Sequence, residues 1–262
     1  MVDLETYSSA AAAHRRERNG HISINLVPEC LSGLYSRERR QVVKWILIPG
    51  LGTDHRYFDN IVDLLPNLQI IRFEIPERNE TIEAYADRLR GQIETTGPIV
   101  LGGVSFGGML ASIMCRRVQP TALVLMSSTT TPDFAGTSVR VFEWMSRIWP
   151  DTFTQWVRQL GSHPLHWLEP MPPEQVEYFK ELVRDGDLRL IRGGGRMIMQ
   201  WCESPEIACP KFHIHGSRDL LIPAAKTQPT CIVQGAGHLM NLTHPEPVRN
   251  FIREVQTKLA DP

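Results

Sequence analysis

The chain of 262 residues is 42% hydrophobic and 22% charged, a composition typical of a globular protein with a sizeable core. Its formal net charge of −1 provides no basic surface for nucleic acid or an anionic membrane, and no apolar run reaches the roughly 18 residues that a transmembrane helix needs. The N-terminus lacks the charged-then-apolar order of a secretory signal, and the five cysteines are too scattered for a disulfide framework or a zinc site. We therefore expect a cytoplasmic protein with reduced thiols that acts on a small molecule, binds neither nucleic acid nor membrane, and has an oligomeric state that the sequence leaves open.

Apolar runs and helical patterns alternate along much of the chain. Residues 1–41 are polar and arginine-bearing, with one weak strand candidate at 22–27, and we expect a leader segment there. Apolar, β-branched runs predict strands at 42–50, 68–76, 98–103, 121–128, 211–216 and 230–235. Helical spacing predicts helices at 56–66, 79–97, 106–118, 171–187 and 244–260. Because the strands are apolar throughout and alternate with helices, they predict an α/β fold with a mostly parallel sheet and helices on both faces.

The alternation stops between residues 131 and 199, where helical patterns continue without a clear strand. The simplest organisation is one α/β core made of residues 42–130 and 200–262, interrupted by a helical insertion at 131–199. Gly193–Gly195 within the insertion is either a hinge or a site of tight helix packing. The aromatic residues of the insertion either form its own small core or line an apolar pocket: Phe142, Trp144, Trp149, Phe153, Trp156, Trp167, Tyr178 and Phe179.

A Gly-x-Ser-x-Gly motif at residues 103–107 lies between a predicted strand and a predicted helix. A serine on so sharp a turn needs strained backbone angles, and the residues two before and two after it must be small. The turn exposes the Ser105 hydroxyl above the carboxyl edge of the sheet and places the Phe106 amide at a helix N-terminus, where it can donate to an anion. The strand–turn–helix context indicates a nucleophilic serine, whereas the five residues alone also fit an ordinary glycine-rich turn.

A serine hydroxyl becomes a good nucleophile only when a base accepts its proton. His238 is the predicted base because it follows the strand at 230–235 in a Gly-x-Gly-His loop; Asp219, after the strand at 211–216, is the predicted acid, and Asp133 is the second choice. Loops after the carboxyl ends of parallel strands gather at one edge of the sheet, and the chain order Ser, Asp, His is the expected one. The remaining histidines are assigned to the leader, the insertion, or packing, supporting and solvated positions: His14, His21, His55, His163, His166, His213, His215 and His244.

Four segments in order give the chain a resemblance to the α/β-hydrolase superfamily, in its serine-nucleophile form with a helical cap. They are ILIPGLGTD at 46–54, GVSFG at 103–107, HGSRDLLIP at 215–223 and GAGH at 235–238. The resemblance implies Ser105 as nucleophile, His238 as base and Asp219 as the acid that orients it. It further implies an oxyanion hole made by the backbone amides of Leu51 and Phe106, a cap at 131–199, and no cofactor.

The resemblance and the residues together imply ester hydrolysis through an acyl-enzyme on Ser105, as in a carboxylesterase. Two other functions fit the same scaffold: cleavage of a carbon–carbon bond by a hydrolase or lyase, and non-catalytic binding of a small molecule by a receptor. The sequence departs from the family in two places. Pro49 replaces the histidine that often precedes the glycine of the first oxyanion loop, and only one weak strand precedes residue 42, which predicts a sheet truncated at that edge.

Overall fold

The computed structural model describes residues 43–93, 97–134, 169–184 and 186–260. The predicted leader, with its weak strand at 22–27, and residues 135–168 of the predicted insertion lie outside the described residues. Of the aromatic residues assigned to the insertion, Tyr178 and Phe179 are described. The division into leader, core and insertion stays a prediction.

Six parallel strands of the described residues form one sheet in the order β2-β1-β3-β4-β5-β6. Every neighbouring pair is parallel, and each strand overlaps one of the six predicted runs. The strands are β1 (Lys44–Ile48), β2 (Leu68–Ile70), β3 (Ile99–Val104), β4 (Ala122–Met126), β5 (Lys211–Gly216) and β6 (Cys231–Val233).

Helices connect the strands and cover the sheet. Thr81 caps α1 by accepting a hydrogen bond from the Ala84 amide, and Asp187 caps α4 in the same way through the Arg189 amide. None of the described helices is long and apolar enough to cross a membrane. The helices are α1 (Ile82–Arg90), α2 (Phe106–Val118), α3 (Pro173–Arg184), α4 (Leu188–Gln200), α5 (Met240–Thr243) and α6 (Pro245–Ala260).

Both faces of the sheet are buried. Trp45 and Leu47 of β1 pack into a cluster that includes residues of α3 and α6. Ile46 and Ile48, which point to the opposite face, pack into a second cluster with residues of α1, α2 and α4. The predicted fold class is therefore confirmed: a parallel α/β sheet with helices on both sides.

The segment predicted as a helix over 56–66 instead forms two short 3-10 helices, His55–Phe58 and Val62–Leu64. Side chains of α6 bind two backbone carbonyls of this segment. Arg249 donates to the Asn60 carbonyl at 2.6 Å, and Gln256 donates to the Leu64 carbonyl at 2.8 Å. The apolar spacing thus correctly predicts helical turns in this segment, but it does not predict their 3-10 form or the hydrogen bonds from α6.

The strand predicted over 68–76 is much shorter than expected, because β2 ends at Ile70. The Ile71 amide still donates to the Leu47 carbonyl at 3.0 Å. The neighbouring strand β1 then ends at Ile48, and Pro49 has no amide hydrogen with which to continue the pairing. The chain beyond residue 71 therefore leaves the sheet.

The turn between β3 and α2 brings two backbone segments into direct contact. A Cβ atom added at Gly107 would lie 2.2 Å from the Ile48 carbonyl oxygen and 2.3 Å from that of Pro49. A Cβ added at Gly103 would lie 2.6 Å from the same Ile48 oxygen. Neither position has room for a side chain, which is the steric requirement that the Gly-x-Ser-x-Gly spacing predicts.

At the glycine triplet, helix α4 packs against the segments that follow β1 and β2. A Cβ at Gly193 would lie 2.6 Å from Pro76 Cγ, and one at Gly194 would lie 2.5 Å from Leu51 Cδ1, whereas one at Gly195 would meet nothing within 4 Å. Of the two alternatives for this triplet, the structure thus has tight helix packing at its first two glycines. The third glycine faces open space.

Alanine substitutions at Gly107 and at Gly195 test these contacts. A Cβ atom at Gly107 would overlap backbone, whereas one at Gly195 would meet nothing within 4 Å. Gly107→Ala is expected to lower the free energy of unfolding by about 3 kcal/mol or more, because the methyl group overlaps backbone that cannot move aside. Gly195→Ala is expected to raise it by about 1 kcal/mol through helix propensity. Urea unfolding followed by tryptophan fluorescence measures both, and a Gly107→Ala variant as stable as the native chain would contradict the contact.

Candidate active site

Ser105 occupies a strained turn at the carboxyl end of β3. Its backbone angles, φ 51° and ψ −120°, are rare for a residue with a side chain. Such a conformation costs on the order of 1–3 kcal/mol and persists only where neighbours hold it. Here the Ser105 amide donates to the Met126 carbonyl at 3.1 Å, and the Ser105 carbonyl accepts from the Ser128 hydroxyl at 2.7 Å. The turn is thus tied to the end of β4.

The loops after β5 and β6 are held together by main-chain contacts. The Arg218 amide donates to the Ala236 carbonyl at 2.8 Å. A Cβ at Gly216 would lie 2.4 Å from the Gly237 carbonyl oxygen, so a larger residue would push the loops apart. This contact brings the loop that carries Asp219 next to the loop that carries His238.

The three predicted residues form one continuous chain of hydrogen bonds. His238 Nδ1 lies 2.8 Å from Asp219 Oδ2, and His238 Nε2 lies 2.9 Å from Ser105 Oγ. Because the carboxylate can only accept, Nδ1 carries the imidazole proton and Nε2 is left to accept from the serine hydroxyl. The geometry therefore permits transfer of the Ser105 proton to His238.

Asp219 is buried, with 4% of its surface exposed, and is surrounded by hydrogen-bond donors. Its Oδ1 accepts from the amides of Leu221 and Ile222, each at 2.9 Å. Burial by itself raises the pKa of this carboxyl, but the charge of His238 and hydrogen bonds from His215, His238 and the Ile222 amide outweigh it and hold the pKa well below its usual range. Asp219 is therefore ionised at neutral pH.

His215 supports Asp219 from the interior of the protein. Its Nε2 lies 3.1 Å from Asp219 Oδ2 and 2.7 Å from the Ile222 carbonyl oxygen. Both neighbours are acceptors, so this nitrogen must carry a proton. On the other side of the ring, Nδ1 lies 3.0 Å from His213 Nε2, and burial lowers the pKa of His213 to about 3, which keeps His213 neutral. The two buried histidines thus continue the polar chain behind the carboxylate.

The Leu51 and Phe106 segments both approach the serine. A Cβ at Gly50, the residue before Leu51, would lie 3.8 Å from Ser105 Cβ. Phe106 is the first residue of α2, so its amide belongs to the positive end of that helix.

Comparison with known families identifies the fold. A model of the alpha/beta hydrolase family matches residues 45–251, well over half of the chain. The chain belongs to the alpha/beta hydrolase family. A comparison with curated protein sequences found no match.

Solved hydrolase structures share this fold at low sequence identity. An esterase from Thermogutta terrifontis is 20% identical, with a TM-score of 0.62 over 83% of this chain and 90% of its own. An enol-lactonase from Burkholderia xenovorans LB400 is 17% identical, with a TM-score of 0.64 over 84% and 94%. A carboxylesterase structure from Nitrososphaera gargenis is 14% identical, with a TM-score of 0.66 over 84% and 92%. At these identities the likeness establishes the fold alone.

Other candidate residues of this hydrolase lie elsewhere. Asp133, the second choice for the acid, is exposed, and the His238 ring is hydrogen-bonded to Asp219 instead. His244 Nδ1 lies 2.8 Å from the Thr243 hydroxyl, and the His55 side chain is 71% exposed. The remaining candidates among the histidines lie outside the described residues: His14, His21, His163 and His166.

Two aromatic residues of the insertion, Tyr178 and Phe179, are described, and both contact the core of the hydrolase. Phe179 is buried in the cluster on one face of the sheet. The Tyr178 hydroxyl lies 2.9 Å from the Arg56 carbonyl oxygen and 2.8 Å from Asp59 Oδ2. Phe179 therefore has a packing role, whereas Tyr178 also lines a cavity of about 410 Å³ together with residues such as Asn60 and Leu242.

A cavity of about 700 Å³ lies between the loop after β1, the edge of β2 and the α3–α4 junction of the hydrolase. Apolar side chains such as Leu68, Phe73 and Leu190 line it, together with Thr53 and Asp187. Among the described residues that line it, neither Ser105 nor His238 appears.

Glu169, which is not among the predicted site residues, is a buried carboxylate that accepts hydrogen bonds from the His238 loop. A lone glutamate before a proline carries no motif. Its partners are main-chain amides 68 and 70 residues away, so nothing in the local sequence could have pointed to it.

The lowered pKa of Asp219 predicts a specific dependence of stability on pH. A carboxyl whose pKa is lower in the folded than in the unfolded state stabilises the fold above the unfolded value of about 3.9. That contribution is lost as the pH falls toward the folded value. Asp219→Asn is therefore expected to be less stable than the native hydrolase at pH 7, with a difference that shrinks between about pH 5 and pH 2.

Urea unfolding of both proteins at a series of pH values measures this difference, since every other acid titrates alike in the two. Asp133→Asn, a change at an exposed carboxylate, is the control and is expected to alter stability by less than about 0.5 kcal/mol at either end of the range. A gap that stays constant from pH 5 to pH 2 would refute the ionised, hydrogen-bonded state of Asp219.

Proposed function

We propose that this alpha/beta hydrolase is a carboxylesterase-like serine hydrolase that cleaves an ester bond of a small molecule through an acyl-enzyme on Ser105. The observation that carries the proposal is the unbroken chain of hydrogen bonds from Ser105 Oγ through His238 to Asp219. The esterase and carboxylesterase structures of the same fold agree with an ester substrate.

In the first half of the reaction, Ser105 Oγ attacks the ester carbonyl carbon as His238 Nε2 accepts the hydroxyl proton. The imidazolium that forms is stabilised by Asp219, which stays ionised because its pKa lies far below neutrality. His238 then donates the same proton to the alcohol oxygen as the ester bond breaks. The alcohol leaves, and the acyl group remains on Ser105.

Negative charge on the carbonyl oxygen is assigned to the backbone amides of Leu51 and Phe106. Main-chain donors of this kind are fixed before the reaction begins, and each typically stabilises the transition state by about 2.7–4 kcal/mol. The N-terminus of α2 adds its positive dipole end at the same place. Pro49 does not interfere, because the donor in that loop is the amide of Leu51.

In the second half, His238 removes a proton from water, and the hydroxide attacks the acyl-enzyme. The proton returns to Ser105 Oγ as the acid product leaves. Every group in this cycle belongs to the chain, to the ester or to water, so the mechanism requires no cofactor.

The insertion at 131–199 is proposed to act as a cap over this site. Support comes from α4 near its end, which packs Gly194 against the Leu51 side chain and Gly193 against Pro76. A cap that contacts the oxyanion loop would shape the space available to the acyl and alcohol groups.

Replacement of Ser105 by alanine is the direct test. The Ser105→Ala variant is expected to lose at least about 10³-fold in kcat on short p-nitrophenyl esters, because the nucleophile is gone. A fluorophosphonate probe, mapped by mass spectrometry, is expected to label Ser105 in the native protein and nothing in the variant. Ser112→Ala is the control, because it removes a buried hydroxyl within α2, the helix that follows Ser105. It is expected to keep both activity and labelling.

Three outcomes would count against the proposal. Undiminished ester turnover by Ser105→Ala would exclude Ser105 as nucleophile. A folded native protein that the probe does not label would favour a non-catalytic receptor. Labelling of Ser105 together with turnover of carbon–carbon substrates, and none of esters, would replace ester hydrolysis by carbon–carbon bond cleavage.

A further inference from the structure

A second buried carboxylate, Glu169, lies next to the proposed site. It is 3% exposed and comes just before α3. Its Oε1 accepts from the Gly237 amide at 3.0 Å, and its Oε2 accepts from the Leu239 amide at 2.6 Å. The Thr243 hydroxyl donates to Oε1 at 2.5 Å.

The two amides that Glu169 binds belong to the residues immediately before and after His238. One carboxylate therefore fixes the main chain on both sides of the imidazole. The ring must keep Nδ1 within 2.8 Å of Asp219 and Nε2 within 2.9 Å of Ser105 at the same time. A small rotation of the loop would lengthen one of these bonds, so the backbone position that Glu169 imposes decides whether both form.

Burial of a carboxylate to accept hydrogen bonds from two backbone amides is energetically unfavourable. Removal of the charge from water is unfavourable, and the hydrogen-bond donors that the described residues offer to Glu169 are neutral. A water molecule could serve the amides at lower cost, whereas a carboxylate binds two donors in a fixed geometry.

We propose that Glu169 is a positioning residue for His238, a role that rests on the proposed function of the Ser105 site. Glu169 is contributed by the insertion at 131–199, so the segment predicted to form the cap also holds the base in place. The group acts through the main chain and does not touch the reacting atoms.

Glu169→Gln tests the role with almost no change in shape. The amide NH₂ of the glutamine would point at one of the two backbone N–H donors, so that side of the loop is expected to move. A displacement of about 1 Å can lower turnover about 10²-fold. We expect kcat on p-nitrophenyl esters and the rate of fluorophosphonate labelling to fall 10- to 100-fold, with KM changed less than about twofold.

Glu174→Gln, the same substitution at an exposed residue in the first turn of α3, is the control and is expected to match the native protein. A merely structural role for Glu169 would lower the melting temperature without lowering kcat in the folded protein. Measurement well below the melting temperature of each variant therefore separates the two roles.

Thr243→Val keeps the test decisive if Glu169→Gln does not fold. It removes the hydroxyl that holds Glu169 Oε1, the oxygen that binds the Gly237 amide. That amide is then held less firmly, so a loss of kcat smaller than that of Glu169→Gln is expected, again at constant KM. The proposal is overturned if folded Glu169→Gln keeps kcat within about threefold of the native value, or if Thr243→Val leaves it unchanged. Failure of the native protein to label at Ser105 would instead refute the proposed function.

Discussion

A contact between main chains, with no side chain between them, governs the architecture of the candidate site. The first turn of α2 touches the end of β1 so closely that Gly107 can carry no Cβ atom. This approach places the loop after β1 beside Ser105 and aims the N-terminus of α2 at the same point. The strained angles of Ser105 follow from the same geometry, because the chain must reverse within one residue to enter the helix.

Two carboxylates then organise the histidine from different directions. Asp219 bonds the imidazole ring itself and is held by two amides and by His215. Glu169 bonds the backbone on either side of the ring. Buried charges are costly unless hydrogen-bonded, and both carboxylates use several donors. The glycine-rich loop that carries His238 is thus restrained at its side chain and at its main chain by separate groups.

The sequence was most informative where local sterics or chain order decide the outcome. Six apolar runs could be predicted as parallel strands, and Ser105, Asp219 and His238 could be placed at one edge, because loops after parallel strands gather there. It was least informative where local structure depends on hydrogen bonds from residues far away in the chain. Arg249 and Gln256 bind carbonyls of the segment at 55–64 from 189 and 192 residues away. Glu169 likewise acts on amides far along the chain, and a single glutamate offers no pattern by which to recognise it.

The order of the strands has a consequence for folding. Ser105 follows β3 and His238 follows β6, and the two residues are 133 positions apart in the chain. Strands β4 and β5 lie between them in the sheet, so the serine and histidine can meet only after both have taken their register. Contacts of such long range form late and slow the folding reaction. Regain of hydrogen bonding between these side chains after dilution from denaturant would therefore report the pairing of β3 through β6, whereas recovery of helical signal alone would not.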